Sequence, residues 1–247
     1  IILIPDIMVI PLNKKKEVPS CDKCESANSS IFCVLSKTEL SILSQSKSHI
    51  SYKKGQMIFY EGNHPLGLYC IYSGKVKIHK LGHDGKDQIL RLAKNGSVIG
   101  YRALLSDDNY HASATAIEDS QICFFPKSAY QNQIIVNPSL SIQIIKLLSS
   151  DLKSAEQKAV NMVQKQVKER IAETLLMLKE FFGVESDNGT ISSVLTRESL
   201  GNIAGTTTET AIRVLSDLHK SKIVNLIGKK IKILNNKELI RIANLSD

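Results

Sequence analysis

The stretch that decides the fold is LTRESLGNIAGTTTETAIRVL, residues 195–215, whose pattern predicts two short helices joined by a tight turn. Thr196 is a suitable N-cap for the first helix, and Gly205 supplies the turn. The second helix carries Glu209 and Arg213 four residues apart, on one face. Arginine can donate two hydrogen bonds to guanine and glutamate can accept one from cytosine, so this face suits contacts in the major groove of DNA.

Two short apolar runs follow, residues 223–226 and 231–234, and the residues between them predict a β-hairpin. Two helices followed by a hairpin are typical of a winged helix-turn-helix. Between residues 218 and 237 the chain has six lysines and no acid, which suits contacts with phosphate. The predicted DNA contacts are Thr196, Arg197, Thr206, Thr208, Glu209, Arg213, Lys229 and Lys230. The alternative is an ordinary helical hairpin in which Glu209 and Arg213 pair with each other.

The composition agrees with a nucleic-acid partner. The 247 residues include 32 Lys and Arg against 24 Asp and Glu, a net charge of +8, which favours double-stranded DNA over an acidic substrate pocket. The six histidines are scattered, and no nucleophile or phosphate-loop motif is present, so we expect no enzyme. Residues 1–12 are apolar but too short to span a bilayer and unlike a secretory signal; we expect a cytoplasmic protein with no membrane partner.

The chain before this region divides into short strands and then long helices. Between residues 37 and 126, apolar stretches alternate with glycines, a pattern typical of an antiparallel barrel or roll, with a hairpin tip at Asp84-Gly85. Asn137-Pro138 predicts the start of a helix that reaches about residue 164. A second amphipathic helix is predicted at residues 167–182, and an exposed polar loop at 183–189.

The long helix carries apolar or small residues at alternating spacings of four and three, which predicts a coiled-coil seam and a parallel homodimer. The seam consists of Leu148, Leu152, Ala155, Ala159, Met162 and Gln166. The alternative is that this stripe packs only against its own roll. We therefore predict an α+β fold of four regions: an N-terminal segment with a cysteine cluster (1–36), a cyclic-nucleotide-binding-like β-roll sensor domain (37–136), a dimerisation helix (137–165) and a winged helix-turn-helix DNA-binding domain (166–247).

This order of parts resembles the CRP/FNR family of bacterial transcription regulators over about residues 21–240. The most specific matches are RIAETLL at 170–176, LTR at 195–197, Gly205, and TET at 208–210 followed by Arg213. The resemblance implies that Glu209 and Arg213 contact bases, and that RNA polymerase is a partner, reached through loop 183–189. The oxygen-sensing branch has serine where this chain has Ile212, so we expect a different preferred DNA sequence. Whether such a regulator activates or represses stays open.

The ligand of the roll does not follow from the resemblance. Members of that family that bind cyclic AMP use a Gly-Glu pair for the ribose and an Arg-Ser pair for the cyclic phosphate. At the matching places this chain has Gly100-Tyr101 and His111-Ala112, so both ionic partners are missing. Arg102 is near enough in sequence to reach an anion, although a solvated arginine is the simpler interpretation. We expect no binding of cyclic AMP.

Five cysteines in a cytoplasmic protein favour metal ligands, redox-active thiols or buried residues over structural disulfides. Cys21, Cys24 and Cys33 follow the spacing Cys-x2-Cys-x8-Cys, and Cys123 lies where the oxygen-sensing branch supplies its distant ligand. The resemblance implies a 4Fe-4S cluster on these four thiols. The gap from Cys24 to Cys33 is longer than in that branch, and zinc, a thiol switch or structural cysteines are the alternatives. Cys70 is expected to be buried in a strand.

A second class of protein also uses a ligand-binding roll, namely a regulatory subunit that acts on a partner protein. The predicted winged helix argues against that class, because a subunit of this kind needs no DNA contact. A DNA-binding regulator that senses zinc, thiol oxidation or a small molecule is the nearer alternative to iron-sulfur sensing.

Overall fold

The computed structural model describes residues 19–82, 85, 87–193 and 196–245. The apolar residues 1–12, Asp84 of the predicted hairpin tip and Leu195 lie outside the described residues. Short helical elements open the chain: 3-10 turns at Cys21–Lys23 and Ile31–Val34, and helices α1 (Glu25–Asn28) and α2 (Lys37–Ser46). The sequence pattern did not predict α2. Ser36 and Glu39 form a capping box there, with Glu39 accepting from the Ser36 backbone N–H at 2.7 Å.

The predicted roll is confirmed as two four-stranded antiparallel sheets within the described residues. Their orders are β1-β8-β3-β6 and β2-β7-β4-β5. The strands are β1 (Ser48–Tyr52), β2 (Met57–Phe59), β3 (Gly67–Ser73), β4 (Lys75–Leu81), β5 (Asp87–Lys94), β6 (Val98–Ile99), β7 (Ser113–Ala116) and β8 (Ser120–Pro126), with α3 (Tyr101–Ser106) after β6. Strands β4 and β5 pair antiparallel over seven registered positions, so the predicted hairpin is present.

The two sheets bury alternate apolar residues between them, as half-buried strands do. Ile71, Val76, Ile99 and Ile122 are almost completely excluded from solvent in this core. A second core lies outside the first sheet, where the N-terminal segment packs against it through Phe32. The amino-terminal turns of the chain are therefore part of the folded roll.

Two helices connect the roll to the winged helix, after α4 (Lys127–Val136). Helix α5 (Pro138–Gln164) and helix α6 (Val167–Phe182) agree with the predicted bounds, and the Asn137 side chain caps α5 by accepting from the Leu140 N–H. The prediction that Gln166 belongs to the α5 seam is wrong, because α5 ends two residues earlier. Gln166 instead caps α6 in a capping box with Glu169.

The winged helix-turn-helix is confirmed. It consists of α7 (Arg197–Ala204), α8 (Thr208–Lys220), β9 (Val224–Ile227), β10 (Lys230–Ile233) and a helix that was not predicted, α9 (Asn236–Ile242). These elements and α6 share one apolar core, in which Ile171, Leu175 and Leu215 have no exposed surface. No helix among the described residues is long and apolar enough to cross a membrane.

The roll and the winged helix touch through β5 and its neighbours. Leu92 of β5 packs against the core of the winged helix, and the Gln88 side-chain amide donates to the Asn202 carbonyl in α7. Lys75 on β4 lies over the Phe182 ring, with its ammonium 5.3 Å from the ring centroid. The position of the winged helix is therefore set by contacts with the roll as well as by α5.

Candidate nucleic-acid interface

Local hydrogen bonds fix the ends of α7 and α8, the two helices of the helix-turn-helix. Thr196 caps α7 by accepting from the Ser199 N–H at 3.0 Å, and Thr207 caps α8 by accepting from the Thr210 N–H at 3.2 Å. Gly205 ends α7 in the left-handed region, at φ 64° and ψ 48°, which a residue with a Cβ rarely adopts. The roles of Thr196 and Gly205 were predicted from the sequence because each is a local signal.

Helix α8 has one buried face and one exposed face. Ala211, Leu215 and Leu218 are excluded from solvent on the inner side. Glu209 and Arg213 are exposed on the other side, one turn apart. The predicted base-contacting face is therefore accessible to a groove of DNA, and Thr208 is half-buried beside it. Thr206, in the turn before α8, is also half-buried, and its N–H donates to the Gly201 carbonyl at 2.9 Å.

Three of the predicted DNA contacts meet in one place. Thr196, Arg197 and Lys229 line a shallow cavity of about 170 Å³ together with Gly228. The Arg197 guanidinium donates to the Gly228 carbonyl at 3.2 Å, which joins the start of α7 to the tip of the wing. Burial lowers the pKa of the Arg197 guanidinium, yet an arginine keeps its charge at neutral pH. Two cations beside a helix N-terminus form a surface that suits an anion.

The other wing lysines are less available than the sequence suggested. The Lys230 ammonium lies 2.6 Å from Glu185, and the Lys232 ammonium lies 3.1 Å from Asp187. Both acids belong to loop 183–189, which precedes α7. The predicted lysine strip covers only residues 218–237, so it does not include acids from an earlier part of the chain. Part of the positive charge of the wing is thus neutralised within the molecule.

Asp187 fastens that loop to the wing. Its carboxylate accepts the Thr190 N–H at 2.9 Å and the Thr190 hydroxyl at 2.7 Å, and these bonds lower the pKa of Asp187. Thr190 pairs with Lys232 as an isolated antiparallel bridge, and the Ile233 N–H donates to the Gly189 carbonyl. The chain at the end of the loop is therefore held against β10 by an isolated bridge.

Comparison with known proteins agrees with this architecture. Residues 49–136 match the family described as "Cyclic nucleotide-binding domain", and residues 169–242 match "Crp-like helix-turn-helix domain". The Fumarate and nitrate reduction regulatory protein of Vibrio cholerae is 31% identical over 230 residues, which cover 92% of this chain and 91% of that protein. The chain belongs to the CRP/FNR family of transcription regulators. It is therefore a DNA-binding transcription regulator and not an enzyme.

Other relatives support the same assignment for this CRP/FNR regulator. The Anaerobic regulatory protein of Bacillus subtilis is 29% identical over 191 residues, which cover 76% of this chain and 80% of that protein. Among solved structures, FixK2 from Bradyrhizobium japonicum superposes with a TM-score of 0.71 at 25% identity, covering 81% of this chain and 99% of FixK2. The likeness therefore spans the roll, the long helix and the winged helix together.

The roll of this CRP/FNR regulator encloses a cavity of about 400 Å³ at the place where Gly100-Tyr101 and His111-Ala112 were singled out. Phe59 and Tyr110 stack along one side with their ring centroids 4.1 Å apart. Arg102 lines the cavity and is exposed, whereas the His111 ring lies 3.0 Å from Asp108. The cavity thus offers an apolar floor and a cationic rim.

The cavity wall is attached to α5. The Tyr101 hydroxyl donates to the Asp151 carboxylate at 2.5 Å, and the Arg91 guanidinium donates to the same oxygen at 2.6 Å. Lys158, seven residues after Asp151 on α5, donates to the Leu90 carbonyl. Because Leu90, Arg91 and Tyr101 all line the cavity, three contacts connect its wall to the long helix.

The predicted cysteine ligands do not come together as a set of four. Cys33 is exposed on a 3-10 turn whose Ile31 and Phe32 point inward, whereas Cys21 and Cys123 are buried in one core. Burial raises the pKa of the Cys123 thiol to about 11, and burial also raises the pKa of Cys21. No three His, Cys, Asp or Glu side chains of residues 19–82, 85, 87–193 and 196–245 are placed to hold a metal ion.

Cys24 is half-buried, and Cys70 is buried in β3 as predicted, directly opposite Cys123 of β8. In this arrangement the four thiols singled out in the sequence, Cys21, Cys24, Cys33 and Cys123, are not gathered at one place as the ligands of a single cluster. Cys33 is one reason, because its 3-10 turn buries Ile31 and Phe32 and leaves the thiol on the outside.

The predicted dimer residues of α5 have three kinds of surroundings. Leu148 packs against the core of its own roll, whereas Leu152, Ala155 and Ala159 are exposed. Met162 is 41% exposed, and its methyl group covers Gly205 so closely that a Cβ there would overlap it. Further exposed apolar residues on α5, which the sequence pattern missed, are Ile142, Ile145, Val160 and Val163.

Proposed function

We propose that two copies of this chain form a homodimer that binds a pseudo-palindromic site in double-stranded DNA, with one α8 in each of two successive major grooves. The single observation that carries the proposal is the exposed Glu209 and Arg213 face of α8, beside the cavity of Thr196, Arg197 and Lys229. Base edges and phosphates are then contacted from neighbouring surfaces of one domain. Such a regulator works where the chromosome lies, in the cytoplasm.

Each residue type has a defined task in this proposal. Arg213 donates to a guanine and Glu209 accepts from a cytosine, which selects the sequence. The remaining predicted contacts, Thr196, Arg197, Thr206, Thr208, Lys229 and Lys230, bind the DNA backbone and position α8. Phosphate contacts add affinity for any sequence, so the two groups can be separated by experiment.

The exposed apolar part of α5 supports the homodimer. Leu152 is 60% exposed and Val163 is 87% exposed, on a helix of 27 residues. Ala155 and Ala159 lie between them and would allow a second α5 to approach closely. Apolar side chains repeated along one helix are better buried against a second copy than left in water. RNA polymerase is the further protein partner in this proposal, with loop 183–189 as the contact surface.

The signal belongs to the same proposal, and cysteine chemistry is its first candidate. Burial is the main cause of the raised pKa of the Cys123 thiol, and Lys47 opposes it. Cys21 and Cys24 add smaller raising effects on this pKa, which places these two thiols in the neighbourhood of Cys123. The relatives named for fumarate and nitrate reduction and for anaerobic regulation are consistent with a redox input. A 4Fe-4S cluster is one form of this input, and zinc binding or thiol oxidation are the others.

A small organic ligand of the roll cavity is the second candidate for the signal. Its apolar floor and cationic rim favour an organic anion, and its wall is joined to α5 through Asp151. We do not expect that anion to be cyclic AMP, because Tyr101 and His111 stand where a carboxylate and an arginine would be needed.

The test of DNA reading starts with in vitro selection of a binding site from random duplexes, carried out with the full chain in reduced and in air-exposed form. We expect an enriched two-part site that binds about a thousandfold more tightly than random DNA. Absence of any enriched site in both forms, together with capture of a protein partner, would favour the regulatory-subunit class instead.

The test of the signal uses protein purified without oxygen. Its iron, acid-labile sulfide and zinc contents and its visible spectrum are measured before and after exposure to air, beside the Cys123→Ser and Cys70→Ser variants. A cluster on the predicted ligands gives about four irons per chain that are lost in Cys123→Ser and retained in Cys70→Ser. Equal iron content in the wild type and in Cys123→Ser removes the cluster from the proposal.

A further inference from the structure

Helices α5 and α6 are joined by two residues only, Lys165 and Gln166, and both have extended backbone, with ψ angles of 138° and 157°. Rotation about these few bonds would swing the whole winged helix relative to α5. The angle at this joint is therefore fixed by side chains that cross it, together with the contacts between the roll and the winged helix.

Arg170 is the side chain that crosses the joint on the side facing the helix-turn-helix, α7 and α8. Its Nη1 donates to the Lys165 carbonyl at 2.7 Å, Nε donates to the Ala204 carbonyl at 2.9 Å, and Nη2 donates to the Gly205 carbonyl at 3.3 Å. The planar guanidinium thus connects the joint to the carboxyl end of α7. These carbonyls lie at the carboxyl ends of α5 and α7, where the helix dipole also favours a cation.

Glu173 crosses the same joint one turn further along α6. It accepts the Asn161 side-chain amide of α5 at 2.9 and 3.0 Å and the Lys165 ammonium at 2.9 Å. The Lys165 ammonium also donates to the Ala243 carbonyl, at the end of α9, at 2.8 Å. A half-buried carboxylate with these partners holds the last turn of α5 against the winged helix.

Met162 completes the contact from the α5 side. Its methyl group covers Gly205, the residue whose carbonyl Arg170 binds, and both side chains border a cavity of about 110 Å³. The turn between α7 and α8 is thus held by Met162 on one side and Arg170 on the other. Any rotation of α5 relative to α6 would strain both contacts.

We propose that Arg170 and Glu173 are positioning residues that set the angle between α5 and the recognition helix α8, and thereby the spacing between half-sites that the dimer accepts. This inference rests on the proposed homodimer that reads two half-sites. Recognition helices in such dimers lie about 34 Å apart, one turn of DNA, and one base-pair step is about 3.4 Å. A rotation at the joint that displaces α8 by about 3.4 Å therefore corresponds to one base-pair step of the DNA.

The experiment compares the full-length wild type with Arg170→Lys, Arg170→Ala and Glu173→Gln on the selected site, on versions with one base pair added to or removed from the spacer, and on a single half-site. Lys168→Ala is the control, since Lys168 is exposed on the same helix and its loss also removes one positive charge. Circular dichroism and sedimentation report whether each variant is folded and dimeric.

We expect the wild type to lose about tenfold or more in affinity when the spacer changes by one base pair, because the two DNA-binding domains of the dimer cannot then bind both half-sites at the same time. Arg170→Lys and Arg170→Ala should bind all three spacers within about threefold of one another while retaining wild-type affinity for the single half-site. Glu173→Gln should show a smaller loss of discrimination, and Lys168→Ala should behave as the wild type.

The outcomes separate the two proposals. If the folded Arg170→Lys protein keeps the spacer profile of the wild type, the inference is overturned. The same holds if that variant weakens half-site binding as much as full-site binding, because Arg170 then supports only its own domain. If the wild type binds its selected site but ignores the spacer, the homodimer that reads two half-sites is wrong. Should Arg170→Ala fail to fold, Arg170→Lys and Glu173→Gln still decide.

Discussion

Arg213 on α8 and Lys230 on the wing are both exposed cations of the DNA-binding domain, but their surroundings differ. Arg213 extends from α8 into solvent, whereas the Lys230 ammonium lies 2.6 Å from Glu185. A surface ion pair of this kind contributes about 0–1 kcal/mol, so a phosphate can replace Glu185 at a modest cost. The comparison teaches that the charge counted along a sequence exceeds the charge that is immediately available to DNA.

The largest effect should follow from Arg213→Ala. Loss of a two-bond contact with one base should cost about 1–3 kcal/mol on the selected site and leave random DNA nearly unaffected. Titrations of both duplexes at one salt concentration measure this difference. The charge-matched control is Lys220→Ala, at the far end of the same helix. Equal losses on both duplexes would show that Arg213 contacts only the backbone.

A smaller and more uniform effect should follow on the wing. Lys229→Ala should weaken binding to selected and random DNA alike, and should reduce the slope of log K against log salt by about 1. Lys230→Ala should reduce that slope by less, because Glu185 already neutralises Lys230. Salt titrations of the two variants make the measurement. Identical slopes for the two would mean that the ion pair does not limit phosphate binding.

Removal of Glu185 tests the same ion pair through its acidic partner. Glu185→Gln should free Lys230 and raise affinity for random DNA by about twofold to fivefold, the range given by a surface ion pair. The ratio of specific to random binding should fall accordingly. The control is Glu238→Gln, which removes an equal charge from α9, where Glu238 pairs with Arg241. This variant should not raise the affinity for random DNA. A decrease in random binding in Glu185→Gln would contradict this account.

The smallest effect concerns pH. The pKa of Asp187 is lowered in the folded chain by hydrogen bonds from Thr190, so its contribution to stability is present above the ordinary pKa of about 3.9. That contribution begins to decline as pH falls below this value and is lost completely only when pH falls through the lower pKa of the folded state. Urea denaturation from pH 7 to pH 3 should therefore show the wild type losing part of its advantage over Asp187→Asn at the acid end. An advantage that grew towards low pH would have the wrong sign.

The elements predicted from the sequence are those with local signals. Asn137-Pro138 marks the start of α5, and Thr196 and Gly205 mark the ends of α7, because each acts on neighbouring backbone groups. Helices α2 and α9 carry comparable signals, Ser36 with Glu39 and Asn235 with Glu238. Recognition of these caps would have found both helices.

The parts that escaped prediction depend on contacts between distant residues. The pairing of Lys230 with Glu185 joins residues 45 positions apart, and no window of the sequence shows it. The exposure of Cys33 depends on which side of a 3-10 turn packs onto the roll, and spacing alone does not settle that. The same limit applies to Arg170, whose three acceptors come from two separate segments.

During synthesis the wall of the roll cavity is completed late. Tyr101 closes that wall, but its hydroxyl acquires its partner only when Asp151 appears, 50 residues further along the chain. A nascent chain released from the ribosome tunnel as far as β8 has strands β1 to β8 of the roll and still lacks the helix that holds the Arg91 and Tyr101 side chains in place. The Arg91 and Tyr101 side chains can therefore reach their final packing only after α5 has emerged, so the cavity wall and the long helix are completed together.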